Sequence, residues 1–189
     1  MKSQLNSLIE GLNLIQKDEE LMARVEKVID EIVKALRSNL PILVFGNGGS
    51  ASDALHISGE LVGKFKINRK SQNVLCLNSN VSVMTAWGND FDFDSIYSRQ
   101  VEAHGFAGGV CWGISTSGNS KSVVNALLKA KELGMITVGF TGDSGGKVKQ
   151  FSDLLINVPS KETPRIQELH IPIYHYVCEK VEEKISHLI

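Results

Sequence analysis

Five short runs of consecutive apolar residues constrain this fold more than any other feature of the chain. They are Pro41-Ile42-Leu43-Val44-Phe45, Val74 to Leu77, Val110 to Ile114, Ile136 to Phe140 and Leu154 to Val158. A strand with one wet face alternates apolar and polar residues, whereas an unbroken run fits a strand buried on both faces in a parallel sheet. Between most of the runs lie stretches with helical period, such as Ser50 to Val62 and Ser120 to Leu133, the latter followed by Gly134 at the position just past a helix end. Repeated strand–helix alternation predicts an α/β fold, a central parallel sheet flanked by helices on both faces as a three-layer sandwich.

Two amphipathic stretches precede the first run. Leu5, Leu8, Ile9, Leu12 and Ile15 form one stripe, and Leu21, Met22, Val25, Val28, Ile29, Ile32, Val33 and Leu36 form another. Asp18 stands where it can cap the second helix. These stripes need cover, either from the domain's own sheet or from a partner subunit. At the other end, Thr163 to Leu188 reads as one long helix with Pro164 in its first turn and Pro172 inside it, where a missing backbone donor should kink it. The 189 residues fit a single domain, with 1–39 as a helical pair used in oligomerisation and 40–189 as the α/β core.

Charge excludes some partners. Lys+Arg number 20 and Asp+Glu 21, which gives no electrostatic reason to expect nucleic acid or an anionic membrane. No apolar run approaches the length needed to span a bilayer, and the N-terminus has no apolar signal core. Cys76, Cys111 and Cys178 are odd in number and form no CxxC pattern, so a reducing, cytosolic compartment is expected.

In open parallel sheets ligands bind where strands end and helices begin. Two such junctions are chemically loaded. The first is Gly46-Asn47-Gly48-Gly49-Ser50, which is either a tight turn with a Ser cap or a loop that lets backbone amides approach an anion. With Ala51 it meets the relaxed dinucleotide pattern GxGxxA, but the second run ends at Leu77-Asn78 without the acidic residue that would hold a ribose. No P-loop lysine follows, which counts against ATP. The second junction, Ser115-Thr116-Ser117-Gly118-Asn119-Ser120, puts four hydroxyls in six residues, more than capping requires, and suits a phosphate ester held by amides and hydroxyls.

Candidate acids, bases and ligands follow. His56 and Glu60 are spaced i, i+4 and share one helix face, which fits a common metal, a common substrate or a solvent-exposed pair. Gln167 and His175 lie eight residues apart, roughly 12 Å of helical rise, so spacing alone does not pair them. His175 reads equally as a core histidine, and His170 as a surface one.

Gly46-Asn47-Gly48-Gly49-Ser50, His56 with Glu60-Leu61, Gly88-Asn89-Asp90-Phe91, Gly113 to Ser120 and Arg165-Ile166-Gln167-Glu168-Leu169-His170 occur in that order over nearly the whole chain. Together they resemble the sedoheptulose-7-phosphate isomerases (phosphoheptose isomerases) of the sugar-isomerase (SIS) domain family. The resemblance implies a homotetramer with sites built from more than one subunit, a sugar-phosphate substrate and one zinc ion per subunit. It implies zinc ligands at His56, Glu60, Gln167 and His175, and a catalytic acid/base pair at Glu60 and His175. It implies substrate contacts at Asn47, Gly48, Gly49, Ser50, Glu60, Lys64, Asn89, Asp90, Ser115, Thr116, Ser117, Ser120 and Gln167.

Two departures from the family pattern stand out. Lys64 replaces an Arg found in some relatives, which keeps the charge but loses bidentate geometry, and Pro164 replaces an Asp. The expected reaction is ketose–aldose isomerisation of a seven-carbon sugar phosphate at the start of heptose synthesis. The rival expectation is a non-enzymatic SIS-domain sugar-phosphate sensor or a regulator that binds the replication initiator, and Glu60 with His175 favours the enzyme.

Overall fold

The computed structural model describes residues 1–186, so the expected helical residue Leu188 lies outside the described residues. The chain runs α1 (Lys2–Lys17), α2 (Glu19–Arg37), β1 (Ile42–Gly46), α3 (Gly49–Val62), β2 (Val74–Cys76), α4 (Val81–Asp90), a 3-10 turn (Phe93–Ser95), α5 (Ile96–His104), β3 (Val110–Ile114), α6 (Lys121–Glu132), β4 (Ile136–Thr141), α7 (Val148–Phe151), β5 (Leu154–Asn157) and α8 (Thr163–Ser186). All five apolar runs are strands, each within a residue or two of the expected limits. They form one parallel sheet in the order β2-β1-β3-β4-β5. Helices α4 and α5 were not among the helical stretches named from sequence; α4 has no fully buried residue, which leaves its pattern little to follow.

The runs are continuous, yet alternate residues serve opposite layers. Ile42, Val44, Val110, Trp112 and Ile114 pack with α2, α3 and α8 in one core cluster. Leu43, Phe45 and Cys111 pack with α5 and α6 in the other. This is the three-layer sandwich, with strands apolar throughout because both faces are covered.

The N-terminal helices differ from one another. The second stripe is covered by the domain itself: Val28, Ile29 and Ile32 are fully buried in the core. Asp18 caps α2, its carboxylate accepting from the Leu21 amide at 2.8 Å. Along α1 only Gly11 and Ile15 are buried, and Leu5, Ile9, Leu12 and Leu14 stay exposed. Helix α8 continues through Pro172. No helix among the described residues is long and apolar enough to cross a membrane.

Candidate active site

The strand order locates a crevice. From β1 the chain goes to β2 on one side, while β3 lies on the other, so the carboxyl ends of β1 and β3 form a topological switch point where open α/β sheets bind ligands. The register pairs Gly46 with Ile114, so the two loaded loops leave the sheet side by side. A buried polar network holds the first loop. The Tyr97 hydroxyl lies 2.6 Å from the Gly46 carbonyl and 2.9 Å from Asn47 Oδ1. Asn78 Nδ2 donates to the Gly46 carbonyl and to the Tyr97 oxygen at 2.9 and 2.8 Å, and Asn47 Nδ2 donates to Ser122 Oγ at 3.0 Å. Burial raises the Tyr97 pKa to about 12, so the phenol stays protonated. Asn78, noticed in sequence only as a missing acid, is thus a support for this loop. Gly48 and Gly49 are exposed at its tip, and Ser50 is buried beneath it.

The second loop is braced from behind. Gly118 has φ +66, and a Cβ there would sit 2.3 Å from the Gly145 carbonyl oxygen, so only glycine lets the loop after β3 close on the loop after β4. Asn119 secures the contact, with Oδ1 accepting from the Lys147 amide at 3.1 Å and its own amide donating to Ser117 Oγ at 3.1 Å. Ser115 and Ser120 share a hydroxyl–hydroxyl bond of 3.1 Å. Ser117 is exposed, while Thr116 and Ser120 are half-buried and Ser115 is buried.

Helices α3 and α8 meet beside these loops, and three predicted groups meet with them. His56 Nε2 lies 3.0 Å from Glu60 Oε1 and 3.4 Å from His175 Nε2. Two residues from one helix and one from another thus converge, with one ligand atom of each inside a 4.8 Å set. Two imidazole nitrogens and a carboxylate oxygen at such separations suit a zinc ion, for which N and O donors and tetrahedral geometry are usual. Burial lowers the His175 pKa, the neighbouring His56 lowers it further, and Glu60 opposes both. Behind His56 stand two groups that sequence reasoning passed over. The Tyr174 hydroxyl is 3.1 Å from His56 Nδ1 and 3.4 Å from the buried Asp53 carboxylate. Asp53, three residues before His56, was the one available sequence signal, since i, i+3 residues share a helix face. A cavity of about 570 Å3 between α4 and α5, lined by Trp87, Arg99 and Gln100, contains none of these groups. Convergent chemistry therefore locates the site better than volume does.

Similarity to known proteins gives the family. The SIS domain family matches residues 10–142. A phosphoheptose isomerase of Clostridium acetobutylicum is 43% identical over 98% of this chain and 94% of its own. One from Aneurinibacillus thermoaerophilus is 46% identical over 98% of this chain and 93% of its own. The solved phosphoheptose isomerase of Neisseria gonorrhoeae superposes with a TM-score of 0.90 at 36% identity, covering 96% of each chain. The chain belongs to the phosphoheptose isomerase family of SIS-domain proteins.

The remaining family positions divide into those that reach the crevice and those that do not. Gln167, in the first turns of α8, lies against Gly49: a Cβ on Gly49 would be 2.2 Å from Gln167 Nε2. In this phosphoheptose isomerase relative the glycine leaves room for the glutamine amide against the loop. Lys64 is exposed just beyond α3. Its neighbour Phe65 packs its ring 5.8 Å from the His175 ring. That segment is latched by Glu182, whose buried carboxylate accepts from the amides of Phe65, Lys66 and Ile67 and pairs with Arg69 at 3.1 Å. Arg69 also donates to the Glu60 carbonyl at 3.0 Å, so one buried pair ties the end of α3 to α8.

Asn89 and Asp90 are exposed at the end of α4, and among the described residues their side chains bond only to each other. The histidine expected on the surface is the reverse: His170 is fully buried, with Nε2 3.1 Å from the Thr141 carbonyl oxygen. Its i, i+3 and i, i+4 neighbours Ile173 and Tyr174 are buried too, which places it on the core face of α8.

Proposed function

We propose that this chain converts sedoheptulose 7-phosphate to D-glycero-D-manno-heptose 7-phosphate, an early step of heptose synthesis, by proton transfer between neighbouring carbons. The observation that carries this reading is the convergence of Glu60 and His175 with His56, from two helices, beside two anion-friendly loops. The hydroxyls and amides of Ser115, Thr116, Ser117 and Ser120 would hold the phosphate at the far end of the sugar. Asn47, Gly48, Gly49, Ser50 and Gln167 would line the path toward the reacting carbons. Binding energy collected on the phosphate then orients the other end.

Ketose and aldose differ by the position of one C–H hydrogen. A base removes the proton from C1, the electrons form an enediol, and an acid delivers a proton to C2, while O1 loses its hydroxyl proton to become the carbonyl oxygen and O2 gains one. Carboxylate and imidazole serve these roles near neutral pH. Burial holds the His175 pKa low, so its imidazole is neutral and can accept or relay a proton. His56, Glu60, Gln167 and His175 would hold one zinc ion, which when bound would polarise the substrate oxygens. A homotetrameric, cytoplasmic enzyme fits this reading. Subunit contacts would cover the exposed leucines of α1 and bring Lys64, Asn89 and Asp90 to a shared site.

Incubation of purified protein with sedoheptulose 7-phosphate in deuterated water, with and without zinc, tests the proposal. Deuterium incorporation with formation of the aldose phosphate is the expected result. Binding of the sugar phosphate without exchange would overturn it in favour of a sensor or regulator.

A further inference from the structure

We propose that Tyr174 is a positioning residue, relaying a hydrogen bond from Asp53 to His56 so that the His56 imidazole presents a bare Nε2 to Glu60 and His175. The inference rests on the reading of this cluster as a metal site and assigns the group that prepares it.

The argument follows from counting protons. The Tyr174 hydroxyl has one proton and two neighbours, Asp53 Oδ1 at 3.4 Å and His56 Nδ1 at 3.1 Å. Burial raises the Asp53 pKa, with the Tyr174 hydrogen bond and His56 opposing; as a carboxylate Asp53 only accepts, so the hydroxyl donates to it. Having spent its proton there, the Tyr174 oxygen accepts from His56 Nδ1 at 3.1 Å, and Glu60 Oε1, 3.0 Å from Nε2, is the competing acceptor for the same imidazole proton. With the proton on Nδ1, Nε2 is unprotonated. It faces Glu60 Oε1 at 3.0 Å and His175 Nε2 at 3.4 Å, so lone pairs converge on one point. Ligand atoms around a tetrahedral zinc, each about 2.0–2.2 Å from the metal, are themselves roughly 3.3–3.6 Å apart, near the spacing seen here.

The relay is built to hold its direction. Asp53 and Tyr174 are both buried, and the Tyr174 ring stands edge-on to His56 and to His175, with centroids 5.5 and 5.0 Å apart. Packing thus fixes the hydroxyl, and the hydroxyl fixes the tautomer. Partners on the far nitrogen of a metal-binding histidine orient the ring in this way, and losing them weakens metal binding by about 10–100-fold.

Tyr174→Phe removes one oxygen and keeps the packing. Long-range 1H–15N correlation on metal-free protein should find His56 protonated at Nδ1 in the wild type, and shifted toward Nε2 protonation in Tyr174→Phe. Zinc affinity, measured by competition with a chromogenic chelator, should fall roughly tenfold. With zinc saturating, kcat should change less than about threefold and KM hardly at all, because the residue acts through His56 on the metal. Nε2 protonation in the wild type, or equal zinc affinity in the two proteins, would overturn the assignment. A wild type that takes up no zinc would sink the metal reading instead, and the tautomer measurement would still judge Tyr174.

Discussion

The two ends of the crevice are prepared in opposite ways. At the sheet end, the loops after β1 and β3 are saturated internally. Asn47, Asn78, Tyr97 and Ser122 satisfy one another, and Gly118 with Asn119 locks the serine loop against residues 145–147. At the helical seam, His56, Glu60 and His175 turn potential ligand atoms toward one another. An anchoring surface gains from being rigid and neutral before the ligand arrives, because ordering it later would cost affinity. A reacting centre instead needs groups whose charge balance is completed by substrate or cation. The sheet end has therefore settled its polar groups in advance, and the seam has not.

This contrast can be broken experimentally. The largest effect is expected at the seam: Glu60→Gln should lower kcat by about 10³-fold, with the melting temperature held within roughly 2 °C. A variant keeping more than a tenth of the wild-type rate in the exchange assay would remove Glu60 from the chemistry. At the sheet end, the cost should fall on the fold. Gly118→Ala forces a side chain into a positive-φ position and onto the Gly145 carbonyl, and should destabilise by about 3 kcal/mol, lowering the melting temperature by roughly 6–12 °C. Unchanged stability in a calorimetric scan would show that the loops are not locked as described.

His170 joins the two ends, since it sits on α8 between Gln167 and His175 and bonds the end of β4. Burial lowers its pKa from 6.5 to about 4, with the Thr141 bond opposing. The folded state thus resists protonation while the unfolded chain does not. Its contribution is complete above pH 6.5 and is lost as pH falls toward about 4. The loss across that window is about 3 kcal/mol. His170→Gln can still donate to Thr141 but does not titrate, so its stability should be flatter from pH 6.5 to 4 in denaturant titrations. A slope equal to the wild type would assign the acid lability to other groups. The smallest effect is expected for Tyr97→Phe. It frees Asn47 and should raise KM a few-fold, about 1 kcal/mol, with little change in kcat. A fall in kcat with unchanged KM would place Asn47 at the reacting carbons instead.

Much of this was legible beforehand, and the failures have specific causes. The five strands were visible because burial on two faces demands unbroken apolar runs. Helix α4 was not, because no residue of it is fully buried and its pattern has little to follow. The His56–Glu60 pair could be placed on one face because helical spacing is local. His175 could be joined to it only through family resemblance, since 119 residues separate His175 from His56. Asp53 and Tyr174 looked like ordinary members of amphipathic helices, and His170 looked like a surface residue.

The sequence by itself determined the parallel sheet, the two loaded strand–helix junctions and the family, because these reside in short-range periodicity and in the order of motifs. Only the tertiary structure decided that α8 lies across α3, so that His175 faces His56, Gln167 fills the space over Gly49 and Tyr174 stands between Asp53 and His56. Local spacing fixes which residues share a face of one helix. Which faces of two distant helices meet depends on how the whole core packs, and no single segment carries that information.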